Sequence, residues 1–265
     1  LAITCKNAAC RFGILSNVFK DQPKTKERTT LKKLLIIILL SYASLFFIPH
    51  TTLAANGTDD PRQYIRSGNE KFARADYEAA IELYRKALSA PVEIGSTARY
   101  NIGVCYYELM RAGEAVVEYR AAILARRGQY PKASYALGVA LEDLKEWAVA
   151  EIAYREAIEA SGGRYAEAHY RLGILISRTG DYASAASLFR RAIKLSDDRF
   201  PTSRNNLGVM LALMGRYSEA RREFEIALEQ EGGEYEDARW NLHLCKSRLT
   251  NATLVRLVLT SRPAL

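Results

Sequence analysis

Three histidines, His50, His169 and His243, and the two cysteines of the main body, Cys105 and Cys245, are the side chains best suited to metal binding, acid–base work or nucleophilic attack. Their spacing supports none of these. His169 and His243 lie 74 residues apart, and neither belongs to the closely spaced Cys or His pairs that a zinc site needs. No glycine-rich phosphate loop, nucleophile elbow or calcium loop occurs in the sequence. The expectation is a non-enzymatic chain without metal or cofactor. Cys105 and Cys245 are 140 residues apart, four lengths of the repeat described next, so an extended stack places them far beyond the ~7 Å Cα separation that a disulfide tolerates. Both read as buried, unpaired thiols.

The elements that would position any site follow from an internal period. Glycine recurs at Gly68, Gly103, Gly138, Gly173 and Gly208, every 35 residues. Alanine follows at Ala80, Ala115, Ala150, Ala185 and Ala220, an aromatic ring at Tyr84, Tyr119, Tyr154, Phe189 and Phe224, and a second alanine at Ala87, Ala122, Ala157, Ala192 and Ala227. Apolar residues at three- and four-residue spacing through Tyr135 to Leu144 and Ala150 to Ile158 predict two helices per unit. Pro61, Pro131 and Pro201 mark helix starts, where proline loses no hydrogen bond. The Gly162-Gly163 and Gly232-Gly233 pairs mark breaks between units. The glycine column supplies a notch where paired helices approach closely, and the alanine and aromatic columns fill the space beside it.

These columns resemble the tetratricopeptide repeat family, whose units pair Leu-Gly on a first helix with Ala, an aromatic residue and Ala on the second. Leu137-Gly138, Ala150, Tyr154 and Ala157 show the pattern. The resemblance covers residues 61–249 and implies an all-α, right-handed superhelical solenoid of five helix-turn-helix repeats. His243 occupies the glycine position one step further, and the residues around it, polar at Glu236, Asp237, Arg239 and Lys246, are expected to form a capping helix. The departures are a period of 35 where the family usually has 34, and Ser67 in the first unit where Leu or Ile is expected.

The resemblance also implies a concave groove along the first helices that accepts a protein or peptide. In this sequence that face would carry Tyr100, Tyr135 and Tyr170 in one column, flanked by Ile65, Asn205 and Trp240, and Val104, Val139, Ile174 and Val209 in another, with Phe72 and Tyr107 near its end. Two readings of the tyrosine column stay open: rigid anchors for a partner, or packing between units. Cytoplasmic cochaperones of the family grip a terminal carboxylate with Lys, Asn and Arg. Asn69, Asn101 and Lys132 match three of those positions, but Ile65 and Ala136 replace two of the charged ones, which weakens recognition of a carboxylate. A self-associating structural subunit is the remaining alternative.

The ends add a location. Residues 1–54 hold eight Lys or Arg and two Asp or Glu, so they carry +6 of the formal +8. The body is nearly neutral, which argues against nucleic-acid binding. Lys32 and Lys33 precede a 15-residue apolar run from Leu34 to Ile48, and small residues follow at Ala54 and Ala55. As a helix that run spans about 22 Å against a ~30 Å hydrocarbon layer. The order is that of a cleaved secretory signal, with Leu31 giving a compact one if translation starts there. The expected location is periplasmic or secreted, the alternative an uncleaved inner-membrane anchor. The tail after residue 250 holds Leu254, Val255, Leu257, Val258 and Leu259, and either extends the cap or lies in the groove.

Overall fold

A computed structural model describes residues 60–250, with side chains described through 247. The signal or anchor expected over 1–55 and the tail from 251 onward lie outside the described residues. Eleven helices follow one another, with no strand among the described residues: α1 (Pro61–Ala73), α2 (Tyr77–Lys86), α3 (Val92–Glu108), α4 (Ala112–Ala125), α5 (Pro131–Asp143), α6 (Trp147–Ala160), α7 (Ala166–Ser177), α8 (Tyr182–Leu195), α9 (Pro201–Leu213), α10 (Tyr217–Gln230) and α11 (Glu236–Thr250). None of them is long and apolar enough to cross a membrane. Each helix packs against the one before and the one after, and α1 with α3, α3 with α5, and α9 with α11 also meet. This is a solenoid of five helical hairpins closed by a single helix.

Local chemistry sets the boundaries. Proline opens α1, α5 and α9, as its fixed φ and missing N–H suit a first helical residue. Within each hairpin the turn passes through one residue of positive φ, at Ala75, Met110, Lys145, Gly180 and Gly215, again 35 residues apart. In four of the five turns the next residue bonds back five positions, as from Arg111 N to Tyr106 O and Glu146 N to Leu141 O, which satisfies carbonyls the helix end leaves free. At four of the five junctions that follow the hairpins two consecutive residues take positive φ: Arg127-Gly128, Gly162-Gly163, Asp197-Asp198 and Gly232-Gly233.

The core is the set of recurring columns. All ten column alanines are 0% exposed, and Tyr84, Tyr119, Tyr154, Phe189 and Phe224 are at most 2% exposed. The aromatic ring of each second helix lies on the glycine of its first: a Cβ placed on Gly138 would stand 2.5 Å from the Tyr154 ring, and Gly68, Gly103, Gly173 and Gly208 meet Tyr84, Tyr119, Phe189 and Phe224 in the same way. In α11, Ala238, Asn241, Leu244 and Cys245 are buried against the stack while His243 is exposed. Cys105 and Cys245 are both buried and unpaired.

Two alanine substitutions separate the notch from ordinary helical glycine. Gly138→Ala is expected to destabilise by about 1–2 kcal/mol, because overpacking against a ring with no room to move outweighs the gain in helix propensity. Gly113→Ala in α4, where an added Cβ meets nothing within 4 Å, is expected to stabilise by about 0.5 kcal/mol. Urea unfolding of both variants checks the pair of signs.

Candidate functional site

The residues expected in the groove fall into three groups. Tyr100 and Tyr135 are half-buried, and each ring is held between two others. Tyr100 lies 5.8 Å from Tyr119 and 5.6 Å from Tyr130, and Tyr135 lies 5.8 Å from Tyr154 and 5.1 Å from Tyr165. Tyr170 repeats the arrangement with Phe189 and Phe200. The column therefore packs one unit on the next while Tyr100 and Tyr135 keep part of their faces open. Tyr170 and Asn205 differ from that expectation: both are 0% exposed, so neither presents surface in this structure. Asn205 donates to Asn206 and accepts from Asn241 of α11. Val104, Val139, Ile174 and Tyr107 are half-buried along the same helices.

The three positions that match a carboxylate clamp are engaged within the chain. Asn69 Oδ1 accepts from the Tyr84 hydroxyl at 2.8 Å and from Asn101 Nδ2 at 3.4 Å. Lys132 Nζ lies over the Tyr100 ring, 5.1 Å from its centre, a favourable placement for a cation. These contacts give Asn69, Asn101 and Lys132 structural work at the first three units.

One concavity on these helices joins Tyr107 and Val139 to residues the sequence reading did not name. A cavity of about 950 Å³ opens beside the ends of α3 and α5 and reaches α7, with Tyr107, Glu108, Met110, Val139, Asp143, Leu144 and the pair Glu142 and Arg171 in its wall. The carboxylate of Glu142 lies 3.6 Å from the Arg171 guanidinium, with the two side chains only 14% and 17% exposed. Tyr154, buried on its glycine, donates to Glu142 at 2.5 Å. Arg171 Nε is buried and has no hydrogen-bond partner. Burial pushes the Glu142 carboxyl up from its usual range, opposed by the Tyr154 hydrogen bond and by Arg171. For Arg171 burial works against the charge, and Tyr154, Tyr135 and Glu142 more than offset it. Glu108 and Asp143 stand exposed on the rim, with the Tyr107 hydroxyl directed at Asp143.

A signal for these residues existed in the period. Tyr107, Glu142, Ser177 and Ala212 share one position, and Glu142 is the only charged residue among them. The rings of Tyr130, Tyr165, Phe200 and Tyr235 form another column at 35-residue spacing, placed just ahead of α5, α7, α9 and α11. His169 takes no part in the cavity: its Nε2 lies 3.3 Å from the Gly163 carbonyl, and burial pulls its pKa down. Among the described residues no three His, Cys, Asp or Glu come together as metal ligands do.

Comparison with known proteins agrees with this architecture. A family model described as tetratricopeptide repeat matches residues 65–131, 118–165, 135–204 and 170–233. Comparison with curated proteins gives no match. Among solved structures, MamA is 25% identical with a TM-score of 0.55, covering 62% of this chain and 94% of that one. YrrB, described as a TPR protein with an unusual peptide-binding site, is 24% identical with a TM-score of 0.54, covering 69% and 90%. The pilF protein of Pseudomonas aeruginosa is 20% identical with a TM-score of 0.58, covering 72% and 90%. The likeness to YrrB and pilF is one of fold.

The Glu142 and Arg171 pair yields a pH-dependent expectation. Arg171→Met leaves the carboxylate buried without its cation and is expected to lower stability by about 3 kcal/mol at pH 7. The folded pKa of Glu142 already lies above its unfolded value, so the unfavourable burial of its charge is absent at low pH and appears as pH rises through the folded pKa. The variant's loss relative to the native chain should therefore shrink at pH 4, which urea titrations of both proteins at the two pH values measure.

Proposed function

This chain belongs to the tetratricopeptide repeat family, whose members typically work as non-enzymatic protein-interaction scaffolds, and we propose that it holds a segment of a partner protein on the inner face of α3, α5 and α7. The observation that carries the reading is the cavity at the ends of α3 and α5, where apolar wall and acidic rim occur together. Tyr100, Val104, Tyr107, Tyr135 and Val139 offer partly open apolar surface already fixed by packing, so little side-chain entropy is lost on binding. Glu142 is paired with Arg171, and Arg111 with Glu114, which line the same cavity at the start of α4; this leaves Glu108 and Asp143 as the unpaired charges nearest a ligand. An extended or helical segment with apolar side chains around a Lys or Arg has the matching chemistry.

The order of the leader, basic then apolar then small, supports a place in the cell envelope, whether periplasmic, secreted or held at the inner membrane by 34–48. One further observation favours self-association as a second reading. Val117 and Ile152 occupy the same position in successive units and are 63% and 55% exposed, and Leu124, two turns along α4 from Val117, is 80% exposed. Such a patch suits a second copy of the chain. Light scattering of the native chain and of Val117→Lys/Ile152→Lys distinguishes a dimer from a monomer.

Selection of random displayed peptides against the chain tests the main reading. Enriched sequences are expected to combine apolar residues with a Lys or Arg, and their affinity to fall at least about tenfold on Glu108→Lys/Asp143→Lys. Both rim residues are exposed, so thermal unfolding should be unchanged. Binders without basic residues, insensitive to the double variant, would overturn the assignment.

A further inference from the structure

Four of the five second helices begin on an aromatic ring. Tyr77, Trp147, Tyr182 and Tyr217 open α2, α6, α8 and α10 at one position of the repeat, where α4 has Ala112. The work of that ring is visible on either side of the gap. In the first unit Tyr77 packs on Phe72, their ring centres 5.3 Å apart. In the third, the guanidinium of Arg178 from the following unit lies over Trp147, 4.1 Å from the ring centre. The residues that correspond to Phe72 and Arg178 around Ala112 are Tyr107 and Asp143.

Ala112, Tyr107 and Asp143 all stand in the wall of the cavity of about 950 Å³. The opening therefore lies where the repeat's own ring is missing and a methyl group takes its place. At this volume it has room for a ring and for parts of the residues beside it. The change from Arg178 to Asp143 also reverses the charge that meets the ring. A carboxylate disfavours the electron-rich face of an aromatic side chain, but it accepts from a donor at the ring's edge or from a neighbouring cation. Glu108, exposed on the same rim, adds to that preference.

We propose that this cavity receives an aromatic side chain of the partner segment, which packs on Tyr107 beside Ala112 in the place that Tyr77, Trp147, Tyr182 and Tyr217 take in their own units. A basic residue next to that ring meets Asp143 and Glu108. The proposal rests on the cavity being a partner site and adds the residue that anchors the partner there; rigid aromatic anchors are the side chains that dominate such contacts.

The test uses random displayed peptides selected against the native chain, then measured against Ala112→Trp. Enriched sequences are expected to share a Trp, Tyr or Phe close to their Lys or Arg, and to lose at least about tenfold in affinity on Ala112→Trp. That variant restores the ring of the other units, so its thermal unfolding midpoint should be no lower than that of the native chain. Ala112→Tyr, which introduces the residue of three other units, gives the same readout should tryptophan prove too large. Enriched peptides with no shared aromatic residue, or full affinity for a folded Ala112→Trp or Ala112→Tyr chain, would overturn the proposal. If such peptides still weaken on Glu108→Lys/Asp143→Lys, the partner site stands and the aromatic anchor alone falls. A native dimer that Ala112→Trp converts to a monomer would assign the pocket to a second copy and equally overturn it.

Discussion

The contact on which the structure depends is the seating of an aromatic ring on a bare glycine. Five times, the ring of the second helix occupies the space a Cβ would fill on the first, at distances that allow no side chain there. The ring brings a large apolar area and shape into a hairpin whose neighbouring column positions are alanine, and those alanines let the next hairpin come close enough to be packed in turn. Stability in such a stack is a sum of local units and the interfaces between them, so one close approach repeated five times shapes the whole body.

That dependence explains what was legible in the sequence. Glycine, alanine and aromatic columns are strict because their positions tolerate little else, and every one proved buried where the period placed it. The intra-hairpin turn was less visible. Its residue takes positive φ in all five units, yet only Gly180 and Gly215 announce it; Ala75, Met110 and Lys145 are held in the left-handed region at some conformational cost by the hairpins around them. Propensity was overridden there by packing that spans many residues, and a local reading has no access to it. The burial of Tyr170 and Asn205 was invisible for a related reason, since identical column positions differ in exposure along the stack.

The tyrosine column shows that packing and recognition need not be alternatives. Tyr100 and Tyr135 are each fixed between a ring of their own unit and the ring that precedes the next. An aromatic side chain locked this way has already lost its rotamer freedom in folding, so the surface it leaves open can bind with little further entropic penalty. Asn69, Asn101 and Lys132 illustrate the opposite outcome. Their polar groups are engaged with one another, with Tyr84 and with the Tyr100 ring, and releasing them to a ligand would break contacts between the first three units.

The Glu142 and Arg171 pair bears on function through what the fold does not need. At the position of Glu142 the other units carry Phe72, Tyr107, Ser177 and Ala212, and at that of Arg171 they carry Arg66, Asn101, Ala136 and Asn206. Neutral residues therefore satisfy the repeat at the first place in every other unit and at the second in three of four. Burying two charges is expensive even when they meet, and well-packed neutral side chains are often as stable. The pair stands in the wall of the cavity beside the ends of α3 and α5, with a buried Arg171 N–H left unpartnered. Such a departure from the repeat's own pattern, unfavourable for folding and concentrated at one opening, supports the binding role proposed for this face. The ring-on-glycine contact makes the departure tolerable, because Tyr154, seated against Gly138, turns its hydroxyl to Glu142 and ties the charged wall to the most constrained part of the hairpin.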